Sequence, residues 1–280
     1  MEALYHSTAF KISKVITRSY STSFSLGISV FAPVFRDAIY AIYGYVRLAD
    51  EIVDSFHSYD KKLLLDEFRA ESLKAIKRGI STNPVINSFQ LAVNKYGIEL
   101  KYIEDFLNSM EMDLSNNYYE REHYNEYVYG SAEVVGLMCL KVFCYKQPGL
   151  FEQLLGPAKS LGSAFQKVNF LRDIKSDIAE RGRIYLPGIN KEINITDADK
   201  RKLEEDIQNE FADSLKGIKR LPAGVKLGVY SAYLYYVGLF NKIKKSEVEV
   251  LLKQRIRISN FTKLALLLKS YFDVKIVKTC

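Results

Sequence analysis

The sequence predicts one all-α domain spanning residues 1–280. Three observations carry that expectation. Apolar residues recur at helical spacing along nearly the whole chain, and no alternating strand pattern stands beside them. The six prolines fall mainly between the periodic segments, where a helix must stop or start. No repeat, low-complexity segment or linker divides the chain, and a hydrophobic content of 48% is ample for a sizeable core.

In chain order, residues 8–19 read as a short helix. The hydroxyl-rich stretch Tyr20-Ser21-Thr22-Ser23-Phe24 follows. Its hydroxyls suit a helix cap or turn, and equally an oxyanion site using hydroxyls and freed backbone N–H groups. Pro33 opens a helix that runs from Val34 to about Phe56. Residues 60–79 carry Leu63, Leu64, Phe68, Leu73 and Ile76 at helical spacing and end at Gly79. Pro84 and Gly97 bound the next helix. Residues 99–116 place Ile103, Phe106, Leu107 and Met110 on an inner side, and 121–145 form a long helix holding Tyr129, Gly130, Ala132, Gly136 and Cys139. Glycines inside a helix cost about 1 kcal/mol each, which points to close helix packing or room for a ligand. Pro148 and Pro157 bracket a break before a helix reaching about Ile178. A loop over 179–188 contains Gly182, Pro187 and Gly188. Thr196 caps a helix to about Leu215, Pro222 precedes a Tyr-rich helix over 223–245, and helices over 247–257 and 261–271 finish the chain.

Two of these helices carry the same pattern. Asp50 and Asp54 are four residues apart, as are Asp173 and Asp177, so each pair shares one helix face. Each lies on an apolar helix with an arginine close by, Arg47 and Arg172. Either pair alone also suits an ordinary solvated face. Facing each other across a helical cavity, they form an oxygen-rich site suited to Mg²⁺. A diphosphate cannot lie against carboxylates directly, but it can through two or three bridging Mg²⁺ ions, which also make it a good leaving group. Arg47, Arg172, Arg181 and Arg183 complement such an anion, or, for the last two, serve as plain loop charges. An apolar cavity behind the metals holds a long hydrocarbon and keeps water from a carbocation.

Composition excludes several other classes. Net charge is +7, but the lysines and arginines are scattered, and paired carboxylates repel nucleic-acid phosphate, so no nucleic-acid partner is expected. The three cysteines, Cys139, Cys144 and Cys280, and three isolated histidines show no zinc spacing. No leader peptide is visible and no uncharged apolar run reaches the roughly 18 residues a bilayer needs. The expected location is the cytoplasm, with room for peripheral contact at the inner membrane surface during product release.

Three blocks in order carry a resemblance. Arg47-Leu48-Ala49-Asp50-Glu51-Ile52-Val53-Asp54, Tyr129-Gly130-Ser131-Ala132-Glu133-Val134-Val135-Gly136, and Gln166 to Asp177 followed by Arg181-Gly182-Arg183-Ile184-Tyr185-Leu186-Pro187 resemble the squalene/phytoene synthase family over essentially the full chain. Within it, the length and the Arg-Gly-Arg loop are most similar to bacterial phytoene synthases. The resemblance implies an isoprenoid synthase fold with helices around a central cavity, and head-to-head condensation of two prenyl diphosphates. It implies Mg²⁺ ligation by Asp50, Asp54, Asp173 and Asp177 with Asn169, and diphosphate binding by Ser21, Ser23, Arg47, Arg172, Arg183 and Arg255. Gln166 would line the site. Tyr43, Tyr129 and Tyr236 would join the acids at the reaction centre, where aromatic faces stabilise cations; core packing is the alternative for Tyr43 and Tyr236. Glu133 replaces a small residue common at that place in the family, and either adds a carboxylate near the metals or forms a salt bridge.

The implied chemistry has two halves. One prenyl diphosphate ionises and is attacked by the double bond of the other, giving a cyclopropyl diphosphate, which then ionises, rearranges and loses a proton. Two geranylgeranyl diphosphates give phytoene, the first expectation. Two farnesyl diphosphates give dehydrosqualene, or squalene if NADPH supplies hydride. A catalytically dead assembly or prenyl-lipid-binding subunit is the competing class, disfavoured because all four aspartates are present.

Overall fold

A computed structural model describes residues 1–115, 121–186 and 196–277. Pro187, Gly188 and Cys280 lie outside the described residues. The described residues are helical almost throughout: α1 (Glu2–Tyr20), α2 (Thr22–Ser29), α3 (Pro33–Asp54), α4 (Lys61–Arg78), α5 (Pro84–Tyr96) and α6 (Leu100–Ser115). Then come α7 (Arg121–Val128), a π-helical turn (Tyr129–Glu133) and α8 (Val134–Phe143). The chain continues through α9 (Pro148–Arg181), α10 (Asp197–Ile218), α11 (Ala223–Lys244), α12 (Val248–Lys253), α13 (Asn260–Tyr271) and a last π-helical turn (Phe272–Val277). One large apolar core joins α3, α5, α6, α8, α9 and α11, with Tyr45 stacked on Phe89 at 3.8 Å in its interior.

The local signals act as their chemistry dictates. Pro33 and Pro84 occupy first-turn positions, and Asp60, Asn83 and Ser259 cap their helices by accepting backbone N–H bonds. Thr196 and Asp199 form a reciprocal capping box. Ser21 caps α2, accepting from the Phe24 N–H at 3.2 Å, so the hydroxyl-rich stretch starts a helix absent from the sequence expectation.

Three expectations need correction. The helix at the N-terminus begins near Glu2 rather than residue 8. Pro157 does not mark a break: α9 runs unbroken through it for 34 residues, about 50 Å. Its ring fits over Gly217 of α10, where any side chain would collide with it. The long packing seam between α9 and α10 outweighs the one backbone bond that proline forfeits. The helix expected over 121–145 is two α-segments joined by the π-turn, which re-phases the residues after Tyr129.

That turn lies in backbone contact with its neighbours. A Cβ on Gly130 would meet the Asp105 carbonyl at 2.5 Å, and one on Gly162 of α9 the Ala132 carbonyl at 2.6 Å. Close packing therefore explains these glycines, and it sets the width of the cavity that Ala132 and Gly162 both line. Gly162→Ala should cost about 1–3 kcal/mol, because the obstructing atoms are backbone and cannot swing aside. Thermal unfolding checks this; an unchanged midpoint would show that α8 and α9 separate freely.

Candidate active site

α3 and α9 run along opposite walls of a cavity of about 520 Å³. From α3 it receives Tyr43, Arg47 and Asp50; from α9, Gln166, Asn169 and Arg172; Ser21, Ser23, Tyr236 and Arg255 complete this set. The interior is apolar and aromatic. Tyr236 stacks on Phe165 with centroids 3.9 Å apart, and Phe24 lies 5.7 Å from Tyr43. Burial pushes the Tyr43 hydroxyl up to about 12, so it stays protonated. The Tyr236 hydroxyl donates to Asn169 Oδ1 at 3.2 Å.

Asp54, Asp173 and Asp177 are not among the lining residues: Asp54 stands one turn beyond Asp50, Asp173 directly follows Arg172, and Asp177 lies one turn further. Arg181 links the two helices: its Nε lies 3.3 Å from Asp54 Oδ2 and its Nη1 2.5 Å from Asp177 Oδ1. Asp54 of the first pair and Asp177 of the second therefore meet across one guanidinium. Asp173 is held twice, by Arg172 (Nε–Oδ1 2.9 Å) and by Arg255 (Nε–Oδ1 2.6 Å). Arg255 reaches it because α12 ends at Lys253, four residues short of expectation, and the chain turns extended at Gln254. Arg47 pairs with Glu51 and stacks over Tyr20.

Asp50 differs from the other three. It has no hydrogen bond or ion pair among the described residues, although it faces the cavity. Burial first, then the neighbouring Asp54, push its carboxyl up to about 7. Asp177 is raised to about 7, chiefly by burial, with Arg181 opposing. Among the described residues no three Asp, Glu, His or Cys side chains close into a ready-made metal cage. An unpaired, half-buried carboxylate flanked by a second one nevertheless fits a divalent cation that completes its shell with other oxygens.

The Arg-Gly-Arg loop has a role that its sequence did not disclose. Gly182 ends α9 at φ 65°, a left-handed conformation favoured by glycine, and the Arg183 N–H returns to the Asp177 carbonyl at 2.9 Å. This reversal drives the Arg183 side chain inward. Its Nη1 donates to Asp54 Oδ1 at 2.7 Å and to the Tyr185 hydroxyl at 3.1 Å, and Nη2 to the Val53 carbonyl at 3.1 Å. Expected on diphosphate, Arg183 is instead buried and committed to Asp54, because the tight turn leaves it no path to the cavity.

Behind it lies Asp113 of α6, which accepts from Tyr127 at 2.9 Å and Tyr185 at 2.8 Å and stands 3.6 Å from Arg183. Burial raises its carboxyl to about 6, against the pull of Arg183. Asp113 was not among the expected site residues. A signal existed: it continues the inner stripe of Phe106 and Met110 at helical spacing, an acid where an apolar residue belongs.

Two further expectations change. Tyr129 does not line the cavity; Lys159 covers its ring at 5.1 Å, and Asp105 is its nearest acidic influence. Residues two apart on a helix point to opposite sides, and it is Tyr127 that lines the wall. Glu133 is not a lining residue either; Lys159 and Lys167 are the cations that act on it, and among the described residues it forms an ion pair with neither.

A squalene/phytoene synthase family model matches residues 17–262. The chain is 30% identical to the phytoene synthase of Arthrospira platensis, covering 92% of this chain and 91% of that one. It is 28% identical to chloroplastic phytoene synthase 1 of Arabidopsis thaliana, covering 89% of this chain and 61% of that one. A dehydrosqualene synthase crystal structure superposes with a TM-score of 0.82 at 22% identity, covering 96% of this chain and 98% of that one. A squalene synthase from Alicyclobacillus acidocaldarius gives 0.74 at 21% identity, covering 86% and 95%. The architecture is thus the isoprenoid synthase fold.

Proposed function

The chain belongs to the squalene/phytoene synthase family, whose members are prenyltransferases, and on that premise we propose that it condenses two geranylgeranyl diphosphates head to head into phytoene. The observation that carries this is Asp50: an unpaired carboxylate at the wall of an apolar, aromatic cavity, whose neighbour Asp54 meets Asp177 of the second acidic pair across Arg181.

In this proposal Asp50, Asp54, Asp173 and Asp177 hold Mg²⁺. When bound, two or three such ions neutralise the diphosphate and make it a leaving group. Arg47, Arg172 and Arg255 receive phosphate oxygens, being placed at the cavity or its acidic rim. Ser21 and Ser23 add hydroxyls on the same wall, with Gln166 and Asn169 opposite. Tyr43, Tyr236, Phe24 and Phe165 present rings to the hydrocarbon, shield it from water and favour positive charge on it. Tyr127 occupies the wall position proposed from sequence for Tyr129.

The C20 substrate is preferred because the sequence relatives named phytoene synthase reach 30% identity over most of both chains. A C30 product from farnesyl diphosphate, dehydrosqualene or, with NADPH, squalene, is the alternative that the structural likeness motivates. Purified protein should be incubated with Mg²⁺ and each diphosphate, with and without NADPH, and the hydrocarbon identified by mass spectrometry. A C40 triene-centred product that EDTA abolishes is the expected result. A C30 product shifts the assignment to the alternative, and no hydrocarbon from either substrate sinks both.

A further inference from the structure

Arg181 and Arg183 flank the Gly182 reversal and both hold Asp54, but they hold it in different ways. Arg183 is locked in place. Its side chain is 7% exposed, and besides Asp54 Oδ1 it serves the Val53 carbonyl and the Tyr185 hydroxyl. The Arg181 side chain is 30% exposed, and its partners are two carboxylates, Asp54 Oδ2 at 3.3 Å and Asp177 Oδ1 at 2.5 Å. Among the described residues no backbone carbonyl or neutral side chain fixes it. A partly exposed ion pair of this kind is weakly held, so its guanidinium can leave for the solvent beside it.

The carboxylate oxygens divide accordingly. Arg183 keeps Asp54 Oδ1, while one guanidinium, that of Arg181, satisfies Asp54 Oδ2 on α3 and Asp177 Oδ1 on α9. Asp50, one turn before Asp54, stays unpaired among the described residues. A divalent cation that binds at Asp50 and completes its shell from the neighbouring acids needs the oxygens that Arg181 holds. Such an ion brings twice the charge of a guanidinium on a smaller body, so it wins the competition at close range. The fold does not depend on the bridge. Both α3 and α9 pack on α8, so their spacing does not rest on this one side chain.

We propose that Arg181 is a stand-in cation for the metal site: in the metal-free protein it neutralises Asp54 and Asp177 together, and it gives both carboxylates up when divalent ions bind. It is a positioning residue, acting through the two acids, and it sets how tightly metal is held. This rests on the Mg²⁺ role proposed above for the four aspartates.

The test uses Mn²⁺ alone, without diphosphate, because its paramagnetic resonance signal distinguishes free from bound ion. The full chain and its Arg181→Gln variant are titrated in parallel. The variant should bind Mn²⁺ about fivefold or more tightly, since no guanidinium has to leave first. Thermal unfolding supplies a second readout. In EDTA the variant should melt lower than wild type, having lost the cation between two carboxylates, and in saturating Mn²⁺ that gap should close. Arg181→Lys keeps a positive charge without the fork, so it should fold even if the glutamine variant does not, and bind Mn²⁺ with intermediate affinity. Mn²⁺ affinity no tighter than wild type in both variants overturns the proposal. So does a melting deficit that Mn²⁺ leaves untouched, which is what a merely structural link would give. Unchanged affinity in a protein that still makes hydrocarbon sinks the stand-in role alone, whereas no Mn²⁺ uptake by any of the three proteins sinks the metal assignment with it.

Discussion

Asp50→Asn should abolish hydrocarbon formation and, in metal-free buffer above pH 7, make the protein harder to unfold. The first half follows from the proposed ligand role: losing about 4 kcal/mol of charge stabilisation at the leaving diphosphate is roughly a thousandfold in rate. The second follows from burial. The Asp50 carboxyl is pushed up to about 7 from an ordinary value of 3.8, because its charge faces an apolar cavity with Asp54 one turn away. Below about pH 4 the group is protonated both folded and unfolded, so it contributes no penalty. Between about pH 4 and 7 the unfolded chain ionises it freely while the fold resists, and the penalty grows. Above 7 it is fully present. Asparagine cannot ionise, so the variant's advantage is absent at low pH and reaches about 1–3 kcal/mol by pH 8, after allowing for solvent in the cavity. Thermal unfolding with EDTA at pH 5 and pH 8, with a product assay alongside, measures both halves. Wild-type turnover, or an advantage equal at the two pH values, would contradict the assignment. A site residue whose removal stabilises the empty protein is what functional strain predicts.

Arg183→Met should do the opposite and unfold the protein, at a cost of about 3–5 kcal/mol. Arg183 is 6% exposed and is the cation nearest to both Asp54 and Asp113. Removing it takes a cation from both carboxylates, leaving Asp54 to Arg181 and Asp113 to the Tyr127 and Tyr185 hydroxyls, and takes one of two donors from the Val53 carbonyl, which Lys61 still reaches at 2.9 Å. Methionine fills similar volume, so the loss reflects charge and hydrogen bonding, not a cavity. The coupling is testable: in an Asp113→Asn background the same change should cost less, since one of the two acid charges is gone. Urea unfolding of the four proteins gives the cycle. A single-variant cost below about 1 kcal/mol would mean that the loop is held by something other than this guanidinium.

These two residues also mark where sequence reasoning succeeds and where it stops. Asp50 and Asp54, Asp173 and Asp177 were legible because spacing of four on a helix is a local property, and the arginines beside them shared the motif. The all-α architecture followed for the same reason: periodicity, prolines and caps each act within a turn or two. Arg183 was legible as a member of its motif but not in its partner, since a glycine-driven reversal turned it away from the cavity toward α3. Tyr129 failed by two residues of helical phase, and Pro157 because a tertiary seam with α10 overrode a local preference.

Residue types, their spacing along single helices and the resulting family assignment are all short-range facts, and one chain without any coordinates was enough to establish them. Which carboxylate stands unpaired, which arginine closes the gap between α3 and α9, and that Asp113 backs Arg183 depend on contacts between residues up to 130 positions apart, Val53 and Arg183 among them. No periodicity encodes such distances. They arise when separate helices pack to one density, and burial then selects which charges keep a partner.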